Sequence, residues 1–293
     1  MGAYHIRPAG KPAAVADFLE RLNRMPSSHI GYCGEDREEI LQTLEDDFSD
    51  MGFDKSFWVA EEGGITIGAL GLDIDEERKS AEVWGPFVAP GRPFKEVAER
   101  LWKEAAESVS GMAGRFEFFL NEENTDAAAF AERLGAVRTG RHVVLQAERR
   151  GFRAVDEPAF LYDRRYENAF RELHETEFPG TYLSPDELLD GLDGSNRLFV
   201  IPDEQRGIKG YVYVEAVPVH GEGTIEFIAV SPEHRRQGVA TRLLRTGLAG
   251  LFDHEKIASI RLAVEGGNEA ALGLYEAAGF RPVHRLTAWK LER

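Results

Sequence analysis

The chain has 293 residues, 51 acidic against 35 basic, giving a formal net charge of −16 and a sequence pI near 5.0. That length suggests two domains, and 43% hydrophobic residues provide a core for each while excluding disordered and low-complexity classes. Cys33 is the only cysteine, which excludes internal disulfides and thiolate zinc clusters, so no metal centre is expected.

The first 22 residues, "MGAYHIRPAGKPAAVADFLERL", lack the unbroken apolar stretch of a secretory signal, and Ile6 breaks the myristoylation pattern. No run approaches the roughly 18 apolar residues that span a bilayer. A soluble, cytoplasmic protein with no membrane partner is expected. Residues 1–150 carry 28 acidic and 18 basic side chains; residues 151–293 carry 23 and 17. Neither half offers the basic face that nucleic acid requires. The acidic field favours approach of cations and also serves solubility.

Along the chain the pattern runs helix, helix, strands, helix, strand, helix, strand, and then repeats. "FWVAEEGGITIGALGLDI" (57–74) resembles "LFVIPDEQRGIKGYVYVEA" (198–216), with Gly68 against Gly210, 142 residues apart. Pro90 matches Pro232 at the same offset. "RFEFFLNEENTDAAAFAERLGAVRTGRHVVL" (115–145) lines up with residues 259–291, pairing Asn124 with Asn268 and Gly135 with Gly279 at an offset of 144. One nearly constant offset implies two copies of one α/β domain, a mixed sheet with flanking helices. The boundary is expected within 147–157, giving domains 1–150 and 151–293.

In the second copy, "LFVI", "KGYVYVEA", "TIEFIAV" and "IRLAV" read as β-branched, apolar strands. Residues 241–252 place Leu243, Leu244, Leu248, Leu251 and Phe252 along one helical face. A further helix starts near Asn268, a natural N-cap, and stops at Gly279.

Between strand and helix lies "VSPEHRRQGVA". A helix start exposes unpaired N–H groups and the positive end of the macrodipole, which attract phosphate. Gly238 permits close backbone approach, Ala240 is small, and Arg235 and Arg236 add positive charge. This reads as a diphosphate cradle. It matches neither G-x-x-x-x-G-K-[ST] nor G-x-G-x-x-G.

The stretch R-x-x-G-x-A at 235–240 resembles the acyl-CoA loop of the GNAT acetyltransferase superfamily, (Q/R)-x-x-G-x-(G/A). "NEAALGLYEAAGF" (268–280) resembles the family's N…A…LY…GF segment. The resemblance covers residues 157–293 and, more faintly, the first copy. It implies two tandem GNAT-like acyl-CoA N-acyltransferase domains and acetyl-CoA as co-substrate. It further implies that Ile228, Ala229 and Val230 pair with the pantetheine arm. Arg235, Arg236, Gln237, Gly238, Val239, Ala240 and Thr241 would bind the diphosphate, and Asn268 the cofactor arm. Tyr275 matches the family tyrosine that protonates the departing sulfur; a phenol with pKa near 10 suits that task. A core tyrosine beside Leu274 and Ala278 is the alternative. Glu226 resembles the strand glutamate that assists amine deprotonation. Strict alternation puts it on one face with Thr224 and Ile228. Glu215 and Glu265 are weaker candidates, and Ala263 fills another position sometimes used as base.

The first copy departs from the pattern. Pro93 and Glu96 stand where Arg235 and Gly238 do, and Ala131 replaces Tyr275. Proline removes an amide donor and glutamate repels phosphate. This copy is expected to do no chemistry.

Acceptor choice falls on "LHETEFPGTYLSPDELLDGL" (173–192). There Glu175, Glu177, Asp186 and Glu187 attract an amine or form a solvated rim, and His174 offers a polar contact. The expected activity is direct transfer of acetyl to a primary amine, of a small molecule or a protein. Two alternatives stay open, a non-catalytic acyl-CoA sensor and transfer of a longer acyl or an aminoacyl group. A homodimer is left open as well.

Overall fold

The computed structural model describes residues 4–153, 156–204, 207–218 and 221–293. From the N-terminus come β1 (His5–Pro8), α1 (Pro12–Asn23), α2 (Arg37–Gln42), α3 (Phe53–Ser56), β2 (Phe57–Glu62) and β3 (Ile65–Asp75). Then follow β4 (Ser80–Val88), α4 (Phe94–Ser108), β5 (Arg115–Asn121), α5 (Thr125–Leu134) and β6 (Val137–Glu148). The second half continues with β7 (Phe160–Leu161), α6 (Glu167–Glu177), α7 (Pro185–Asp190), β8 (Arg197–Pro202), β9 (Ile208–Val217) and β10 (Glu222–Val230). It ends with α8 (Val239–Phe252), β11 (Ser259–Glu265), α9 (Glu269–Ala278) and β12 (Arg281–Glu292). Among the described residues no helix is long and apolar enough to cross a membrane.

The repeat is visible in the helix caps. Asn124 and Asn268 each accept the backbone N–H three residues on, from Ala127 and Ala271. Gly135 and Gly279 end the same two helices with φ of +92° and +111°, a conformation glycine adopts without a side-chain penalty.

Two compact units form, and the division is not linear. The first comprises residues up to Val143 together with His284–Arg293; the second is Val144–Val283. The expected 1–150 and 151–293 boundary therefore misplaces the last strand, and residues 154 and 155 of the expected linker lie outside the described residues. In the first unit the strands run β1-β2-β3-β4-β5-β12-β6. β12 pairs antiparallel with β5, from Leu286 opposite Asn121 to Glu292 opposite Arg115. Trp289 and Leu291 thereby enter a core with Phe116, Phe118, Trp102 and Phe130. A strand goes where its apolar alternation is buried, and here that place is the other copy's sheet.

The second unit holds an antiparallel sheet in the order β10-β9-β8-β7. α6 covers one face, where Phe170 and Leu173 pack with Tyr211, Tyr213, Phe227 and Ala229. α8 covers the other: a Cβ on Gly247 would meet Val212 and Val214 at 3.0–3.6 Å. β10 is an edge strand of this sheet. It approaches β11 without pairing to it, so a gap remains between two neighbouring strands of the unit.

Candidate active site

The loop between β10 and α8 builds a donor-lined cavity of about 490 Å³. Arg236 and Gly238 both adopt left-handed backbone, with φ of +61° and +78°. These turns bring the chain into α8 with Gly238 as N-cap and no side-chain cap. Nothing lies within 4 Å of a Cβ placed on Gly238, so open space faces the helix start. The first helical acceptor is used by Arg242, whose N–H donates to Gly238 O at 3.0 Å. Val239, Ala240 and Thr241 have no N–H acceptor among the described residues, and all three line the cavity. The first turn of α8 carries no acidic residue. Three unpaired donors thus sit at the positive end of a 14-residue helix, an arrangement that favours negative charge.

The arginines divide their work. Arg235 donates to Val230 O at 3.0 Å and pairs with Glu177 at 2.5 Å, so it straps the loop to α6. Arg236 makes no ion pair among the described residues and lines the cavity. Gln237 donates to Glu233 O at 2.9 Å, holding the turn closed.

The free edge of β10 supplies further backbone groups. Ser231 N–H donates to Lys209 O at 3.0 Å, and pairing groups alternate along an antiparallel strand. Phe227 and Ala229 therefore turn toward β9, whereas Ile228 and Val230 turn to the open side. Ala229, expected to meet a ligand through its backbone, instead spends those groups on the sheet and buries its methyl beside Phe227. A second cavity of about 520 Å³ lies elsewhere in the unit, between Glu148, Arg150, Arg245 and Gly279. It gathers none of the expected site residues.

Glu226 occupies a β-bulge. Ile225 faces Val214 and Phe227 faces Tyr213, so two steps on β10 answer one on β9. The extra residue flips the strand's faces. Gly223 lies against Leu251, Ile257 and Ile260, while Phe227 lies in the opposite core with Phe170. Strict alternation of Thr224, Glu226 and Ile228 is thus broken at Glu226. Its carboxylate accepts a hydrogen bond from Tyr182, in the connection between α6 and α7. Tyr182 stacks at a tilt on Phe227, centroids 5.6 Å apart, and is pushed up to about 12. The hydrogen bond to Glu226 is the main cause; burial and the charges of Glu226 and Glu215 add to it. Tyr182 has no counterpart in the sequence argument, because an exposed loop aromatic carries no motif.

The acidic residues expected near the acceptor are mostly committed to structure. Glu177 holds Arg235, Asp186 holds Arg171 at 2.7 Å, and Glu187 closes a capping box with Ser184. Glu215 is different, since its charge reaches both Tyr182 and Tyr213. Glu265 and Ala263 are exposed on β11. His174 is buried: its Nδ1 lies 2.6 Å from the Tyr211 hydroxyl and its Nε2 3.2 Å from Leu183 O. Those partners make Nε2 the donor to the carbonyl and Nδ1 the acceptor from the phenol. It fixes the loop rather than meeting an acceptor, and burial lowers its pKa.

α9 forms another wall, through Glu269, Ala270, Gly273 and Leu274. Asn268 Oδ1 caps the helix, accepting Ala271 N–H at 3.0 Å. Tyr275 follows Leu274, is half-buried and meets Phe280 edge-on at 5.4 Å. Burial raises its pKa, which keeps the phenol protonated.

A model of the acetyltransferase (GNAT) family matches residues 19–136 and again 167–280. The chain belongs to the GNAT acetyltransferase family. It carries two copies of that family's domain in tandem. The chain is 32% identical over 95 residues to mycothiol acetyltransferase of Corynebacterium diphtheriae, 30% of this chain and 30% of that protein. It is 33% identical over 89 residues to spermidine N(1)-acetyltransferase of Vibrio cholerae, 30% of this chain and 51% of that protein. The chain thus spans about a third to a half of the length of the curated relatives it matches. A GCN5-related N-acetyltransferase of known structure from Sphaerobacter thermophilus superposes with a TM-score of 0.68 at 18% identity. The superposition covers 99% of this chain and 95% of that one, a likeness of fold.

The first GNAT copy is built differently where the second is open. Its helix α4 starts after Pro93 and places Glu96 in the first turn. Glu96 puts negative charge where the macrodipole would draw an anion. β4 and β5 pair only from Ser80–Glu82 opposite Arg115–Glu117, then part. The freed edge of β5 is taken by the chain itself. Gly31 N–H donates to Phe119 O at 2.7 Å, Asn121 N–H to His29 O at 3.1 Å, and Ile30 bridges Leu120. A Cβ on Gly31 would meet the side chains of Phe119 at 2.4 Å and Leu286 at 2.6 Å, so a larger residue there would have to displace them. Ala131 is buried at the position that Tyr275 holds in the second copy.

Proposed function

We propose that the second unit of this GNAT protein transfers the acetyl group of acetyl-CoA directly to a primary amine, within a ternary complex. The observation that carries this reading is the set of three unpaired amides, Val239 to Thr241, opening into a cavity of about 490 Å³ beside Gly238. Those amides and Arg236 bind the diphosphate. The outward backbone groups of Ile228 and the Val230 N–H hold the arm in the gap beside β11, with the Asn268 side-chain amide beside it. The first unit is non-catalytic: its slot is crossed by residues 29–31, and its helix start bears Glu96.

Glu226, Glu215 and Tyr182 receive the acceptor. A primary amine with pKa near 10.4 is almost wholly ammonium at neutral pH, and freeing its lone pair costs about 4–5 kcal/mol. Glu226 draws that proton, while Tyr182 orients the carboxylate. As the new C–N bond forms and the C–S bond breaks, Tyr275 gives its phenolic proton to the sulfur, and the second proton that the nitrogen sheds on becoming an amide restores the phenol through water. An acidic, aromatic-flanked acceptor site suits a cationic amine, and one relative is named for spermidine.

Thiol release from acetyl-CoA, followed over a panel of polyamines, amino acids, amino sugars and peptides, tests the assignment. Amine-dependent release with formation of an amide product supports it. Tight acetyl-CoA binding without turnover on the whole panel points to a sensor, and turnover only with longer thioesters points to another acyl donor.

A further inference from the structure

The cavity of about 520 Å³ in the second unit gathers four guanidinium groups. Arg150 and Arg153 come from the connection after β6, Arg245 from the second turn of α8, and Arg281 is the first residue of β12. Glu148 is the one carboxylate among the described residues that line it, and it accepts a hydrogen bond from Gln146 Nε2 at 3.2 Å. Arg150, Arg153 and Arg281 make no ion pair among the described residues. Four guanidiniums against one carboxylate leave the lining positive, in a chain whose net charge is −16. The C-terminal end of α9 also lines the cavity, but a helix end offsets only about half a charge.

The arginine-bearing connection is pinned in place. Arg149 Nε donates to Ile257 O at 3.0 Å, and Phe152 meets Phe252 edge-on at 5.3 Å. Arg245 Nη2 donates to Arg153 O at 3.3 Å, and Gly151 makes the turn between with φ of +95°. The start of the segment expected as a domain boundary is thus folded against α8.

We infer that this cavity binds a small organic phosphate carrying two or more negative charges. Like charges around one void repel one another, and a bound polyanion relieves that repulsion. A guanidinium presents a planar fork that grips phosphate oxygens in pairs. The volume falls within the roughly 300–1,000 Å³ of small-molecule pockets. Phe152, Pro282 and Val283 add an apolar wall, which suits an organic body better than a bare ion. The site is separate from the cradle at the start of α8, since the two cavities share no lining residue. On α9 the cradle uses Glu269 to Leu274, whereas this cavity begins at Ala277. Nothing in it depends on acetyl transfer.

The test titrates ADP and a hexose bisphosphate separately into the full chain by calorimetry, with thermal melting alongside. The result expected is one molecule of at least one of them bound per chain, with Kd below about 1 mM and a raised Tm at saturation. Arg150→Gln and Arg281→Gln should each weaken that binding about fivefold or more. Both side chains are exposed, so the variants should fold, and unchanged circular dichroism checks this. Arg236→Gln, in the cradle, should leave the binding within about twofold. Absence of binding of both compounds by the wild type overturns the inference. Equal binding by Arg150→Gln and Arg281→Gln overturns it too, as does a loss confined to Arg236→Gln, because the phosphate then enters the cradle alone.

Discussion

Tyr182 donates its phenolic hydrogen to the Glu226 carboxylate, joining residues 44 apart in the chain. The bond fixes the α6–α7 connection over the bulge of β10. Glu226→Gln should lower kcat/KM by about 10²-fold if this carboxylate takes the amine proton. Tyr182→Phe should act mainly on KM. The bond also leaves a spectroscopic mark. Tyr182 is held protonated toward pH 12, so the stabilisation it contributes is full below pH 10 and fades as pH rises toward 12. Ultraviolet titration should show one tyrosine shifting to lower pH in Glu226→Gln. An unchanged titration would mean that the pair does not form in solution.

Tyr275 has no hydrogen-bond partner for its hydroxyl among the described residues, so its proton remains available to a ligand. Tyr275→Phe should cut kcat about 10²-fold and leave acetyl-CoA affinity within a factor of about two. Loss of affinity with unchanged kcat would make it a packing residue on Phe280.

His174 provides an acid-sensitive support. Burial lowers its pKa, so below about pH 6.5 the unfolded chain takes up a proton that the folded chain resists. Stability is therefore full at neutral pH and falls on acidification. The Tm difference between pH 7.5 and pH 5.5 should shrink in His174→Gln relative to wild type. An equal difference in both proteins would remove His174 as the cause.

The first unit depends on residues that come last in the chain. Trp289 lies 4% exposed in its core, on β12 opposite Phe118. Trp289→Ala should cost about 3–5 kcal/mol and lower the melting of the first unit. Hydrogen exchange should show the loss in β5 and α4. A loss confined to α8 and β9 would place the strand in the other unit.

The two-copy architecture was legible, because Asn124 and Asn268 cap equivalent helices, and so was the sharp turn into α8, which Gly238 makes with a left-handed backbone. The exchange of β12 was not. Alternation in "RLTAWKL" states that a strand is half-buried but names no partner. The bulge at Glu226 was hidden for a related reason: one extra residue changes the register without changing strand propensity. Arg235 and Glu177 were both singled out, for phosphate and for amine. Their mutual ion pair, visible only in three dimensions, withdraws both from those roles. Ala229 was assigned to the ligand on position alone, and the alternation set by Ser231 turns it inward.

The most direct measurement is a crystal structure of the full chain with acetyl-CoA. The account predicts diphosphate density within hydrogen-bond distance of the Val239, Ala240 and Thr241 amides, with the thioester running along Ile228 toward Tyr275. Density at the start of α4 in the first unit, or none in either unit at saturating ligand, would contradict it.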